Sequence, residues 1–184
     1  MSFSQYKWVL EKDANQIKVY TRLVKSSNFK EYKATVLVET SISKLVNFIT
    51  DGNKLKDWNY RTTKSSLIEK ISDSIFFVYM YNDLPWPAKN RDHISRLKIE
   101  VLSSSFVKIH IKSFPDKLNN VKGVVRVNNF DGFWLLQKTN LGIQVTQQLH
   151  VDPGGYLPYF IVNSKIAEAP FVSLRNLQKH FERR

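Results

Sequence analysis

The fold of this chain is decided by Asp152-Pro153-Gly154-Gly155 and, just after it, Leu157-Pro158. Proline fixes one φ angle and the glycines permit positive ones, so this stretch ends a strand and turns the chain. Pro158 suits the first turn of a helix, where a missing N–H group removes no hydrogen bond. Residues 157–184 contain one further helix breaker, Pro170, and predict one long amphipathic helix. We therefore expect an α+β domain in which a C-terminal helix covers a sheet.

Before this turn, most of the chain alternates between apolar and polar residues, which is typical of strands. The alternation is interrupted where Ser41 is a candidate N-cap and Asp51-Gly52 a candidate helix end. A short helical piece is predicted at 54–58. Because the connections are mostly short, we expect an antiparallel, meandering sheet. The predicted strands are residues 6–12, 17–23, 29–39, 65–71, 74–81, 92–102, 106–113, 122–129, 133–138 and 143–151.

The strand predicted at 92–102 has one face that is more apolar than the other. His93, Ser95 and Leu97 lie on the apolar face, whereas Ile94 lies on a face with several charged residues, which we expect to be wetter. A single helix across a strongly bent sheet seldom fills the concavity, so we expect a cavity there. A completely packed core is the alternative that the pattern leaves open. The candidate ligand-binding residues are Trp58, Val78, Tyr79, Met80, Tyr81, His93, Ser95, Leu97, Val162, Ile166 and Ala169.

The composition is that of one ordered globular domain. The chain has 184 residues, 42% of them hydrophobic, and no apolar run approaches the roughly 20 residues that span a bilayer. It has no cysteine, which excludes disulfides, thiolate metal sites and cysteine nucleophiles. No signal peptide is recognisable before Trp8, so we expect a cytoplasmic protein, or a periplasmic one if a leader was removed. We also expect a monomer.

The formal net charge of +12 favours acidic partners such as anionic lipid or nucleic acid. The predicted C-terminal helix carries more basic than acidic residues. Its basic residues are Lys165, Arg175, Lys179, Arg183 and Arg184. A transient contact with an anionic membrane surface is therefore expected, and charges that only solvate the protein are the alternative. Nucleic-acid binding is not expected, because the basic residues are spread along the chain and no stacking motif accompanies them.

Four short strings follow one another over about 140 residues. They are Val19-Tyr20-Thr21-Arg22; Asp83-Leu84-Pro85-Trp86-Pro87 with Arg91-Asp92; Gly132-Phe133-Trp134; and His150-Val151-Asp152-Pro153-Gly154-Gly155 with Leu157-Pro158. In this order and spacing the chain resembles the START (StAR-related lipid transfer) family, and its bacterial members in particular. The resemblance implies a helix-grip fold, in which a curved antiparallel sheet wraps a long C-terminal helix around a hydrophobic cavity. It also implies that the whole chain, 1–184, is one domain that binds, and perhaps transfers, a lipid or other hydrophobic molecule.

The resemblance also implies roles for individual positions. In the family, the loop that corresponds to Leu84 and Trp86 lines the mouth of the tunnel, so both are candidate gate residues. A Trp86 that only packs as a plug is the alternative. Sterol-binding members have a basic cavity residue where this chain has Leu97, which argues against a sterol. Arg91 and Asp92 are expected to form a local salt bridge or to cap the backbone.

The sequence has no catalytic motif: there is no G-x-S-x-G, P-loop, H-E-x-x-H or dinucleotide-binding glycine pattern. The four histidines lie in separate predicted elements without metal-ligand spacing. We therefore expect a binding protein with no catalytic residue, no metal and no cofactor. The alternative from another class is a helix-grip enzyme of the cyclase or dehydratase kind. It would act on a small hydrophobic ketide, with His93 as its base.

Overall fold

The computed structural model describes residues 6–182. In this part of the chain, ten strands form one curved sheet. The strands are β1 (Val9–Ala14), β2 (Ile17–Val24), β3 (Ser27–Val38), β4 (Thr62–Ser72), β5 (Ile75–Asn82), β6 (Arg91–Ser103), β7 (Phe106–Ser113), β8 (Val125–Arg126), β9 (Asn129–Thr139) and β10 (Gly142–Asp152). Their order is β1-β2-β3-β10-β9-β7-β6-β5-β4, all antiparallel, and β8 pairs in parallel with β6.

The sheet is not a simple meander, because β3 pairs with β10 and not with β4. After β3 the chain forms α1 (Ile42–Thr50) and a short 3-10 helix (Leu55–Asp57), which carry it to the opposite edge. From β4 to β7 each strand then pairs with its predecessor. β8 pairs aside with β6, β9 pairs with β7, and β10 pairs with β9. The predicted cap of α1 is confirmed, since the Ser41 hydroxyl accepts a hydrogen bond from the Lys44 N–H group at 3.3 Å. The antiparallel pairing is also confirmed, but the meander is wrong at this helical crossover.

The C-terminal segment is helical but divided. It forms α2 (Tyr159–Lys165) and α3 (Glu168–Glu182) instead of one helix over 157–184. Pro170 explains the break, because proline has no N–H group to donate to the Ile166 carbonyl. In a continuous helix its ring would also collide with that carbonyl.

The last helix, α3, packs against β2 and β3 on the concave side of the sheet. Its Leu174 and Leu177 are completely buried. Burial of each leucine contributes about 1.5–3 kcal/mol relative to an exposed one. The α+β class and the covering helix are therefore confirmed. Of the basic residues predicted on this helix, Arg183 and Arg184 lie outside the described residues.

Part of the convex face of the sheet is covered by residues 114–124. The strand predicted at 122–129 is reduced to β8, because the chain finds a strand partner there over two residues of β6 only. Phe114 packs edge-to-face on Phe77 of β5, with ring centroids 5.0 Å apart. Ile94 is completely buried on this covered face. The wetter face expected around Ile94 is therefore wrong at that position.

Candidate ligand-binding cavity

A cavity of about 420 Å³ lies between the concave face of the sheet, the C-terminal helices and the segment that follows α1. Its volume is within the range of about 300–1,000 Å³ that is typical of small-molecule sites. The alternative of a completely packed concave face is therefore wrong.

Most of the residues predicted to bind ligand lie in the wall of this cavity. Side chains alternate along a strand, so every second residue of β5 and β6 faces inward. The C-terminal helices, and Ile166 between them, contribute the opposite wall. The predicted residues in the wall are Trp58, Val78, Met80, His93, Ser95, Leu97, Val162, Ile166 and Ala169. Their contact with a ligand stays a prediction.

Tyr79 and Tyr81 do not line the cavity, contrary to the prediction. They alternate along β5 with the inward-facing residues, so their side chains point to the convex side. The Tyr79 hydroxyl donates to the Asp92 carboxylate at 3.3 Å, and the Tyr81 hydroxyl accepts from the Asn90 amide at 3.0 Å. Burial, together with the neighbouring Asp92 carboxylate, raises the pKa of Tyr79 to about 12. Both tyrosines therefore stabilise the outer side of β5.

Of the two candidate gate residues, Leu84 lines the cavity and Trp86 does not. The Trp86 side chain is 92% exposed, so the alternative in which it packs as a plug is wrong. The base of the loop is closed by the Asn90 side chain, which accepts a hydrogen bond from the Leu84 N–H group at 2.9 Å. Whether the loop opens to admit ligand stays a prediction.

The predicted site lacks the part of the wall that β3, β9 and β10 contribute. Tyr32, Phe130 and Gln147 all face the cavity. Trp134 also lines it and packs edge-to-face on Trp58, with ring centroids 6.0 Å apart. The alternation along each of these strands predicts which of its residues lie on the same face. Only the pairing of β3 with β10 brings those faces into one wall.

His93 is a neutral polar group in the wall. Its ring lies edge-to-face with Phe130, at 5.4 Å between centroids. Burial lowers the pKa of His93 to about 4, since an imidazolium would lose its hydration there. No other described residue forms a hydrogen bond with its side chain. The imidazole can therefore both donate to and accept from a ligand.

Arg91 and Asp92 do not form a salt bridge with each other. Adjacent residues of a strand point to opposite faces, so Arg91 faces the cavity and Asp92 the convex side. Arg126 donates to the two Asp92 carboxylate oxygens at 2.8 and 3.0 Å. Arg91 instead donates to the backbone carbonyls of Lys89 and Gly154. The expected structural roles are therefore both present, because Asp92 is in a salt bridge with Arg126 and Arg91 binds backbone carbonyls.

Among the described residues, the charged side chains in the cavity wall are Arg61, Arg91 and Lys165. Within residues 6–182, no group of three or more histidine, aspartate or glutamate side chains could hold a metal ion. No helix in the same span is long and apolar enough to cross a membrane.

Known proteins are similar to this chain in sequence or in architecture. The sequence model of the START domain family matches residues 1–183 of this chain. A STAR-related lipid transfer protein of Xanthomonas axonopodis is 32% identical, with a TM-score of 0.89 over 95% of this chain and 98% of that one. The phosphatidylcholine transfer protein of Rattus norvegicus is 26% identical over 166 residues, which are 85% of this chain and 75% of that protein. An aromatase/cyclase of Streptomyces shares the fold alone, at 14% identity and a TM-score of 0.57 over 84% of this chain and 94% of that one.

The family match spans all four strings on which the resemblance is based. The structure has the curved sheet, the C-terminal helices and the cavity that the resemblance implies. The helix-grip fold is therefore confirmed, and this chain belongs to the START domain family.

Proposed function

We propose that this protein binds a hydrophobic or amphipathic small molecule in its cavity and carries it to or from a membrane. The observation that carries the proposal is the cavity of about 420 Å³ under the C-terminal helices. Apolar side chains such as Val78, Leu97 and Phe130 form much of its wall. Transfer of an apolar molecule from water into such a site is favourable. Membership of the START domain family implies the same class of ligand.

The names of two relatives support a lipid as the ligand. The Xanthomonas protein is called a STAR-related lipid transfer protein, and the rat protein a phosphatidylcholine transfer protein. The cavity is in the lower part of the range of about 300–1,000 Å³ for small-molecule sites. This volume fits one acyl chain or a compact ring system better than two long acyl chains.

We expect an anionic membrane to be the surface from which the ligand is taken. The loop before β6 and the turn before α2 lie at the same end of the cavity, since Arg91 contacts the backbone of both. Lys89 lies in this loop and Lys165 ends α2, and both are exposed and complement anionic head groups. Tryptophan and tyrosine favour the boundary between membrane and water. The exposed large apolar residues of the loop, the turn and the start of α2 are called the aromatic patch. They are Trp86, Tyr156, Tyr159, Phe160 and Ile161.

The protein acts, in this proposal, as a carrier and not as an enzyme. Among the described residues the cavity wall includes no aspartate or glutamate that could work as an acid beside His93. With a pKa of about 4, His93 is also a weak base at neutral pH. The alternative remains a cyclase or dehydratase acting on a small hydrophobic ketide. Turnover of such a substrate that His93→Ala abolishes would favour the enzyme.

Solvent extraction of the purified protein, followed by mass spectrometry, tests the carrier proposal. We expect a hydrophobic molecule that is held without a covalent bond. Ser95→Leu places a larger side chain in the cavity wall and should reduce its recovery. The matched control is Ser103→Leu, at the exposed end of the same strand, which should not. An empty extract, together with no uptake of added lipid, would contradict the proposal.

A further inference from the structure

Arg91 is a buried cation that faces the cavity and has no acidic partner in the part of the chain that the structure describes. Its side chain is only 5% exposed, and it lies on the same face of β6 as His93. Within residues 6–182 it belongs to no ion pair. Its guanidinium donates to the carbonyls of Lys89 and Gly154, and its buried Nε has no partner among the described residues.

Arg126 provides an internal comparison, because it is almost as buried as Arg91. The Asp92 carboxylate accepts two of its hydrogen bonds and raises the pKa of Arg126. Burial instead lowers the pKa of Arg91. The two arginines thus lie on opposite faces of the same part of the sheet. Among residues 6–182, a carboxylate pairs with Arg126 and none pairs with Arg91.

Burying a charged group inside a protein is unfavourable unless a counterion pairs with it. Arginine keeps its proton in proteins, so Arg91 cannot relieve the cost by becoming neutral. A guanidinium presents its donors in a geometry that matches carboxylate and phosphate oxygens. The missing partner of Arg91 is therefore expected to be an anion of this kind.

The residues around Arg91 in the cavity wall do not supply this anion, so we expect the ligand to supply it. In the described part of the wall, the other charged residues are Arg61 and Lys165, both cations and both exposed. Glu168 accepts a hydrogen bond from Tyr60 next to Arg61 and interacts electrostatically with Arg61. Arg61 therefore has an acidic neighbour, whereas no described aspartate or glutamate pairs with Arg91.

We propose that the ligand is an amphiphile with an anionic head group, a carboxylate or a phosphate, and that Arg91 binds this group. The inference rests on the proposed function, because it specifies the ligand of the same cavity. The apolar wall holds the hydrocarbon part. The unsatisfied Nε of Arg91 and the neutral polar groups of the wall, such as His93 and Ser95, replace the hydration of the head group.

Binding of dodecanoate, dodecyl phosphate and dodecanol to the delipidated protein tests this inference. The three probes have the same chain and differ in the head group. At least one anionic probe should bind roughly tenfold or more tightly than the alcohol, because hydrogen bonds to charged groups are the stronger ones. The tighter of the two anionic probes identifies the head group. Arg91→Gln should remove this preference and leave the dodecanol affinity within about twofold.

Arg61→Gln is the matched control, because it removes an exposed cation from the same wall. It should leave most of the preference for the anionic probe in place, since exposed charges contribute little. Inorganic phosphate alone should not displace the bound probe, because it lacks the chain that the apolar wall holds. Displacement by phosphate alone would indicate a free-anion site and overturn the proposal.

Equal affinities for all three probes would overturn the inference and leave the proposed function in place. No binding of any probe would contradict both. If Arg91→Gln lowers the affinity for dodecanol as much as the affinity for the anionic probes, Arg91 has a structural role and the inference is also overturned. If Arg91→Gln does not fold, Arg91→Lys takes its place and should reduce the preference more than Arg61→Gln does. The reverse order would contradict the proposal.

Discussion

Arg126 holds the Asp92 carboxylate on the convex face of the sheet, through hydrogen bonds of 2.8 and 3.0 Å. The same side chain donates to the Pro115 and Leu118 carbonyls, so it ties the loop after β7 to β6. We expect Arg126→Met to lower the free energy of unfolding by about 3–5 kcal/mol, because Asp92 would stay buried without a counterion. Urea unfolding of the two proteins measures the difference.

The control for this prediction is Lys18→Met, which breaks an exposed ion pair with Asp13 at 3.5 Å. Exposed pairs contribute about 1 kcal/mol or less, so its effect should be small. Similar small losses in both variants would contradict the role given to Arg126.

Stability should fall as the pH is lowered from about 6.5 to about 4, because of His93. Burial lowers the pKa of His93 from 6.5 to about 4, so in this window the unfolded chain binds more protons than the folded one. The folded state therefore loses stability as the pH falls, by roughly 3 kcal/mol when the loss is complete. Urea unfolding at a series of pH values should show this fall in the unmodified protein and a flatter profile in His93→Leu.

His110 is the matched control for this pH dependence, since it is an exposed histidine that pairs with Glu100. His110→Gln should leave the fall between pH 6.5 and pH 4 largely in place. A profile that is unchanged in His93→Leu and flattened in His110→Gln would show that the prediction is wrong.

Gly132 lies where β9 and β10 leave no space for a side chain. A Cβ atom there would be 2.2 Å from the Gln148 carbonyl oxygen and 2.8 Å from the Leu149 Cα. Because both are backbone atoms of a central strand, they cannot move aside without breaking the pairing. Gly132→Ala should lower the free energy of unfolding by about 1–3 kcal/mol or more. In Gly123→Ala the Cβ would meet nothing within 4 Å, so only the cost of a positive φ remains, and an equal loss there would contradict the steric explanation.

Trp86 should contribute to membrane binding and little to stability. Because its side chain is 92% exposed, Trp86→Ala should change the free energy of unfolding by less than about 0.5 kcal/mol. Binding to vesicles that contain anionic lipid should weaken, and added salt should weaken it further by screening the basic residues. Sedimentation with anionic and with neutral vesicles measures both effects.

Leu141 is the control for the aromatic patch, since it is 73% exposed in the turn at the opposite end of β10. Leu141→Ala should leave vesicle binding unchanged. If Trp86→Ala and Leu141→Ala have the same effect, or if anionic and neutral vesicles bind equally, the patch does not face a membrane in the way proposed.

Local patterns were sufficient to predict much of the fold and part of the site. The cap at Ser41 and the cavity-facing side of β6, with His93 and Ser95, depend on residues close to one another in the chain. The prediction that Tyr79 and Tyr81 line the cavity is wrong, because alternation along β5 places them on the face opposite to Met80. The cap and the inward face of β6 could be predicted from the sequence, because capping and alternation are set by neighbouring residues.

Contacts between distant parts of the chain required the assembled sheet. Alternation alone places Arg91 and Asp92 on opposite faces, but it does not show that Arg126, 34 residues from Asp92, supplies the partner. The crossover that pairs β3 with β10 is equally non-local, and it completes the wall with Gln147. The pairing of strands that are distant in the sequence determines which charged residues come into contact. The complete wall of the cavity, and the fact that no described residue forms an ion pair with Arg91, are therefore decided by the tertiary structure.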